Sequence, residues 1–286
     1  MYRRASTRTT LKPLLLVELA AALMLVVAAG SAIAEDQETP TASPPDREAF
    51  LAGTNKDCPG CDLREAKLKR RDLSGADLTG ADLTGAVLHR ANLGNAKLDH
   101  AKLEDANLNK TDLRRASLTG ADLSGALLYG TDLSGAQLEG AVMTQVHMQH
   151  ARLTRAVLRA ADISLSAIMD TEMAGCDLSH ANLKQSNLSR ANLSRCDLTA
   201  AVLDGAGFIR ARLRNAKLPG VAAKQADFFE ADLSGSDLTN GDFRGSRLQQ
   251  ANLEDAVTVG MKTKMGRVAG SIVGLKRGAD RGQIVN

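Results

Sequence analysis

Cys58-Pro59-Gly60-Cys61 is the densest concentration of reactive chemistry in the chain, because a Cys-x-x-Cys pair can close a local disulfide or exchange thiols with a partner. Asp62 follows it, so the haem-attachment motif, which needs histidine there, is absent. No thioredoxin-like βαβ pattern surrounds it, and two thiols alone make a weak metal site; a structural staple is the reading preferred, with thiol redox chemistry through Cys58 and Cys61 as an alternative. His147 and His150 lie within one short stretch, but no third ligand is assured, and they read as solvated surface. An Asp or Asn precedes most of the regularly placed leucines, offering many carboxylates and no special neighbour for any of them. No nucleophile is paired with a base, and no phosphate-cradling glycine loop lies between strand and helix. The chain therefore reads as non-enzymatic, with no cofactor and no metal.

The elements that carry these groups are set by an internal period. Leucine or a close relative stands at every fifth residue from Leu63 to Leu253, 39 consecutive units without an insertion or deletion. On an α-helix a step of five turns a side chain by about 140° net, which scatters the leucines around the circumference. On a straight strand an odd step throws successive leucines to opposite faces. What remains is a short extended piece, in which the central residue and the residue two before it point the same way, followed by a bend in every unit. Pairs such as Ser74-Gly75, Thr79-Gly80, Ser124-Gly125 and Ser134-Gly135 supply glycine where a tight turn needs positive φ.

The run Ala76-Asp77-Leu78-Thr79-Gly80-Ala81-Asp82-Leu83-Thr84-Gly85 resembles the pentapeptide-repeat family, whose unit is Ala-(Asp/Asn)-Leu-Xaa-Xaa. The resemblance covers roughly residues 58 to 256. It implies an all-β fold, a right-handed quadrilateral parallel β-helix, with four units in each coil and about ten coils. Stacked at about 4.8 Å per strand, such a rod would be about 45 Å long. Four inward leucines per coil leave room only for small residues two positions earlier, as at Ala76, Ala81, Ala86, Ala91, Thr111, Thr131 and Ser186. Departures are expected to matter locally. Arg71 in a small slot should make the coil bulge or turn its side chain outward. Ala223 in place of a centre should leave a gap that Val221 partly fills. The centres between Met143 and Met173, with Val146 in a small slot, suggest softer packing. Cys176 and Cys196, separated by four units, would stack on successive coils as free core thiols, being too widely spaced at Cβ for a relaxed disulfide.

The ends speak to compartment. Arg3, Arg4, Arg8 and Lys12 precede an apolar run from Leu14 to Ala29, interrupted by Glu18 and followed by Ala32-Ile33-Ala34, the plan of a secretory signal with cleavage after Ala34. The mature chain is then expected in the periplasm or outside the cell; an uncleaved membrane anchor is the alternative. Four segments follow: residues 1–34 as signal, 35–57 as an acidic linker with a short cap helix, 58–256 as the repeat, and 257–286 as a basic glycine-rich tail or cap. Asp46 is placed to cap a helix over Arg47 to Ala52 that ends at Gly53, with Phe50 and Leu51 covering the first coil. The tail, with glycine every fourth residue from Gly266 to Gly282, reads as flexible, or as a helix for self-association or a membrane surface.

Outward residues sort unevenly by side. The side centred on Leu68, Leu88 and Leu108 has eight Lys or Arg against three acids, a net +5, whereas the other three sides come to −4, 0 and −3. His89 projects from the same side as His147 and His150. The basic side also presents Leu127, Tyr129, Met169, Ile209 and Phe229, which makes it the candidate surface for a protein partner not identified by the sequence. Some pentapeptide-repeat proteins are acidic DNA mimics that bind DNA gyrase, so regulation of a type II topoisomerase is a second alternative. Mixed faces and an export signal argue against it, and nucleic acid is not the expected partner. The preferred reading is a non-catalytic exported scaffold for protein interaction or a structural role at the cell envelope.

Overall fold

The computed structural model describes residues 47–263. The expected signal, its cleavage point, Asp46, most of the linker and most of the tail lie outside the described residues. Within them the chain is a coil stacked on itself through parallel bridges, each one residue long. Asp62 pairs with Asp82, Lys67 with Val87, Asp72 with Asn92 and Asp77 with Lys97, and the same four-pentad step continues to Asp242 with Lys262. Four pentads thus complete one circuit, giving four walls.

Backbone hydrogen bonding explains the consensus, including its acidic position. Around Leu83, Asp82 N–H donates to Cys61 O at 2.8 Å, Leu83 N–H to Lys102 O at 2.7 Å, Gly85 N–H to Glu104 O at 2.8 Å, and Ala86 N–H to Leu83 O at 2.9 Å across the turn. The amide immediately after the centre is left over, and an unpaired backbone amide is costly. Thr84 N–H donates instead to Asp82 Oδ1 at 3.1 Å. The same bond recurs from Ser124 to Asp122 at 2.9 Å, Ser134 to Asp132 at 3.0 Å and Ser194 to Asn192 at 3.2 Å. The Asp/Asn ladder is therefore a set of turn caps.

All 41 corner residues from Gly60 to Gly260 have positive φ, and 26 of them carry a side chain, at φ between 54° and 61°. Glycine is thus optional at the corners. The left-handed region costs an L-residue roughly 1 kcal/mol or more, which cooperative stacking offsets.

Inside, the leucines and the small residues two before them form one continuous core, nearly all fully buried. Slot hydroxyls are satisfied by centre carbonyls, some one coil back, as Thr111 Oγ1 donates to Leu88 O at 2.8 Å, Thr131 Oγ1 to Leu108 O at 2.7 Å and Ser186 Oγ to Ile163 O at 2.6 Å, and others three residues earlier, as Thr171 Oγ1 donates to Ile168 O at 2.9 Å and Ser236 Oγ to Leu233 O at 2.6 Å. Aromatic centres appear late in the coil, where Phe208 and Phe228 stack with ring centroids 4.8 Å apart, matching the spacing of successive coils. Ala223 and Val221 are both buried, and Phe243 follows Ala223 one coil on. Gly241 makes room for that ring, since a Cβ there would sit 2.5 Å from Phe243 Cε2 and 3.2 Å from Val221 Cγ2. Between Met143 and Met173 the turns loosen: Val146 N–H donates to Ser166 Oγ and Ser166 N–H to Ser186 Oγ, both at 3.1 Å, rather than to the carbonyl of their own corner.

Helix α1 (Arg47–Ala52) closes the first coil. Phe50 is fully buried, but Leu51 is 37% exposed and does not share the covering role expected of it. The helix ends at Gly53, φ +84°, whose N–H donates to Phe50 O at 3.0 Å. Arg71 neither bulges its coil nor turns out to solvent. Its guanidinium donates to Phe50 O and, at 3.2 Å, to Leu51 O, and lies 4.9 Å from the centroid of the Phe50 ring. A cation at the carbonyl end of a helix satisfies groups that have no intrahelical partner.

Candidate interaction surface

Cys58 and Cys61 are joined by a disulfide across the first corner, with Cα atoms 5.4 Å apart. Cys58 takes a centre position and Cys61 a slot, so both sulfurs lie in the core beneath Phe50, with Cys58 fully buried and Cys61 nearly so. Burial denies an exchanging thiolate the access it needs, which disfavours a redox role. Cys176 and Cys196 are buried free thiols. Cys196 Sγ donates to Met173 O at 2.9 Å, and burial, followed by its neighbour Cys196, pushes the Cys176 thiol well up. Neither is poised as a nucleophile.

Among the described residues no group of three or more His, Cys, Asp or Glu is arranged to hold a metal ion. His147 and His150 are exposed, and the His150 ring meets that of Tyr129 edge-on at 5.3 Å and 80°. His89 is half-buried, nearer the start of the same wall, and is held below its ordinary value by desolvation and then by Arg90 and Lys69.

The five apolar residues expected on the basic side are not equivalent. Leu127 and Tyr129 flank the same centre, Leu128, and are 38% and 45% exposed. Met169, Ile209 and Phe229 are half-buried. Arg247 lies 4.2 Å over the Phe229 ring and also pairs with Asp227 at 3.2 Å, so it covers this ring from solvent. Gln149 and Ser189 occupy the coils between Tyr129, Met169 and Ile209, so the apolar row is interrupted. Accessible apolar surface on this wall is concentrated at Leu127 and Tyr129.

Sequence reasoning missed the stacking of charge between coils. Lys97 pairs with Asp77 at 3.4 Å, Arg152 with Asp132 at 3.8 Å, Arg190 with Asp170 at 2.6 Å, and Lys217 with Asp197 at 3.6 Å, the partners in every pair standing one circuit apart. The signal was available as opposite charges recurring at that interval, once the length of a circuit is known. These pairs leave the walls mixed in sign.

Residues 61–166 and 176–245 match the description "Pentapeptide repeats (8 copies)", and the chain belongs to the pentapeptide-repeat family. Comparison with curated proteins returns no match. Among solved structures, the chain is similar to HetL, a pentapeptide repeat protein involved in heterocyst differentiation regulation from the cyanobacterium Nostoc sp., with 30% identity, 75% of this chain and 94% of that one covered, and a TM-score of 0.35. It is also similar to QnrB1, a plasmid-mediated fluoroquinolone resistance protein, at 18% identity over 64% of this chain and 90% of that one, with a TM-score of 0.33 in the trypsin-treated form. A third is Rfr23 from the cyanobacterium Cyanothece, 24% identical over 50% of this chain and 92% of that one, TM-score 0.23. The repeats, and not these superpositions, carry the family assignment.

Proposed function

We propose that this protein is an exported, non-catalytic scaffold at the cell envelope, wound as a right-handed coil of about ten circuits, which presents one wall to a protein partner. The observation that carries the reading is the exposed pair Leu127 and Tyr129, set on a wall whose backbone groups are already consumed by stacking. A rigid apolar pair bordered by polar residues suits recognition, because little ordering entropy remains to be lost on binding. Export rests on the charged and apolar plan of residues 1–34 and is supported by a Cys58–Cys61 disulfide, which oxidising compartments preserve. The test is cross-linking in intact cells followed by capture, comparing the natural chain with Leu127→Asp/Tyr129→Asp. Loss of a partner in the variant supports the contact; equal recovery from both removes it.

A further inference from the structure

The net +5 of the basic wall is confined to one end. All three of its acids are taken up by three of its arginines: Asp170 by Arg190 at 2.6 Å, Glu230 by Arg210 at 2.5 Å, and Asp227 by Arg247 at 3.2 Å. The surplus is therefore Lys67, Lys69, Arg70, Arg90 and Lys110, in the first coils, all exposed and none in an ion pair among the described residues. Arg70, Arg90 and Lys110 are equivalent corner residues of successive coils, so they stand about 4.8 Å from one another at the backbone. Between them the wall carries Val87, His89, Asn107 and Asn109, and no acid.

At the same interval many charges elsewhere in the coil meet an opposite partner, as at Lys97 with Asp77 and Lys217 with Asp197, and like pairs such as Asp112 with Asp132 and Asp177 with Asp197 each have a cation bonded to one or both members. Like charges held at the backbone spacing would repel by up to about 1 kcal/mol per neighbour in water, and splaying of the exposed side chains only reduces that cost, so the column contributes nothing to fold stability. Nucleic acid would want stacking aromatics, and the patch has none. A protein partner would want apolar anchors within it, and its one aliphatic residue, Val87, is half-buried.

We propose that Lys67, Lys69, Arg70, Arg90 and Lys110 dock the first coils on the headgroups of an anionic phospholipid bilayer. Unpaired Lys and Arg at such a surface contribute about 1 kcal/mol each, which suits reversible, salt-sensitive attachment. The chain order agrees: the apolar run Leu14–Ala29 takes the new protein to a membrane, and the patch lies in the first coils after it. This inference rests on the export reading and is independent of the contact at Leu127 and Tyr129.

The experiment is sedimentation of the purified protein, in the form that accumulates in cells, with vesicles of phosphatidylglycerol mixed into phosphatidylcholine, against phosphatidylcholine alone, at low and high salt. Two triple variants are compared: Arg70→Gln/Arg90→Gln/Lys110→Gln, and Arg115→Gln/Arg155→Gln/Arg195→Gln, which loses the same charge from another wall. Expected are salt-sensitive binding to the anionic vesicles only, at least tenfold weaker for the first variant and retained by the second; neither variant should melt below the natural chain, and relief of repulsion should if anything raise the first. Equal loss in both variants, unchanged binding by the first, no preference for anionic lipid, or retention on duplex DNA in place of vesicles overturns the proposal. Because the pull-down at Leu127 and Tyr129 reads a different part of the wall, each idea can fail alone.

Discussion

Replacing Arg71 with alanine separates two ways of reading this chain. By the repeat pattern, alanine is the preferred slot residue, and the change should be neutral or stabilising. By the geometry, Arg71 holds α1 on the coil through two hydrogen bonds, to Phe50 O and Leu51 O, and a guanidinium 4.9 Å from the Phe50 ring. Each charge-assisted bond is worth about 1 kcal/mol after discounting for partial exposure, and the ring contact about 0.5 kcal/mol. Allowing for non-additivity, the loss is about 2 kcal/mol, or roughly a 30-fold rise in the fraction of molecules with the cap detached. A six-residue helix has no stability of its own, so detachment should be complete and should uncover Phe50 and the top of the coil. Whole-molecule melting is a blunt assay for a solenoid, whose units come apart locally. The direct readouts are hydrogen exchange over residues 47–58 and the rate of proteolysis near Gly53. Unchanged protection and cleavage in Arg71→Ala would refute the capping account, and increased protection would restore the pattern-based one.

Leu165 is a corner residue at φ 60°, 52% exposed, so its aliphatic side chain gains little from its position while its backbone bears the cost of the left-handed region. Leu165→Asn, which tolerates that region, should raise stability by about 1 kcal/mol in denaturant titration, and a loss would show that the corner is not strained. Acid should weaken the coil in a defined window. Hydrogen bonds from Arg114, Arg190 and Arg244 hold Asp112, Asp170 and Asp242 below the ordinary 3.8, with Asp242 at about 2. Since the folded values lie below the unfolded ones, this stabilisation is fully present above pH 3.8 and is lost as pH falls towards 2. Circular dichroism on acid titration should show that loss, and flat stability across the window would mean these bonds contribute nothing.

The inward leucines were legible because their signal repeats in a single frame from Leu63 to Leu253, whereas four units per coil, and with it the need for small slots, came from the family resemblance. Single-copy contacts were not legible. Nothing local distinguishes an arginine that bulges at a slot from one that reaches a helix end one circuit earlier, so the role of Arg71 needed coordinates. The Asp or Asn before many of the centres gave no hint that a particular amide needs it, because that amide becomes an orphan only after every other bond is drawn. The apolar row on the basic wall was over-read. Counting outward positions placed Phe229 there, but could not show Arg247 lying over it.

Because bridging partners stand a full circuit apart while the interior repeats with every pentad, two different arithmetics govern the chain. Duplicating or deleting one pentad would leave the packing of the interior intact, yet would rotate everything downstream by a quarter circuit relative to what precedes it, breaking the charge pairs that straddle the change and splitting each outer wall in two. Only a change of four pentads preserves both. Length variation in such a coil is thus cheap for folding and disruptive for recognition, so a lineage that keeps its partners should gain or lose sequence in whole circuits.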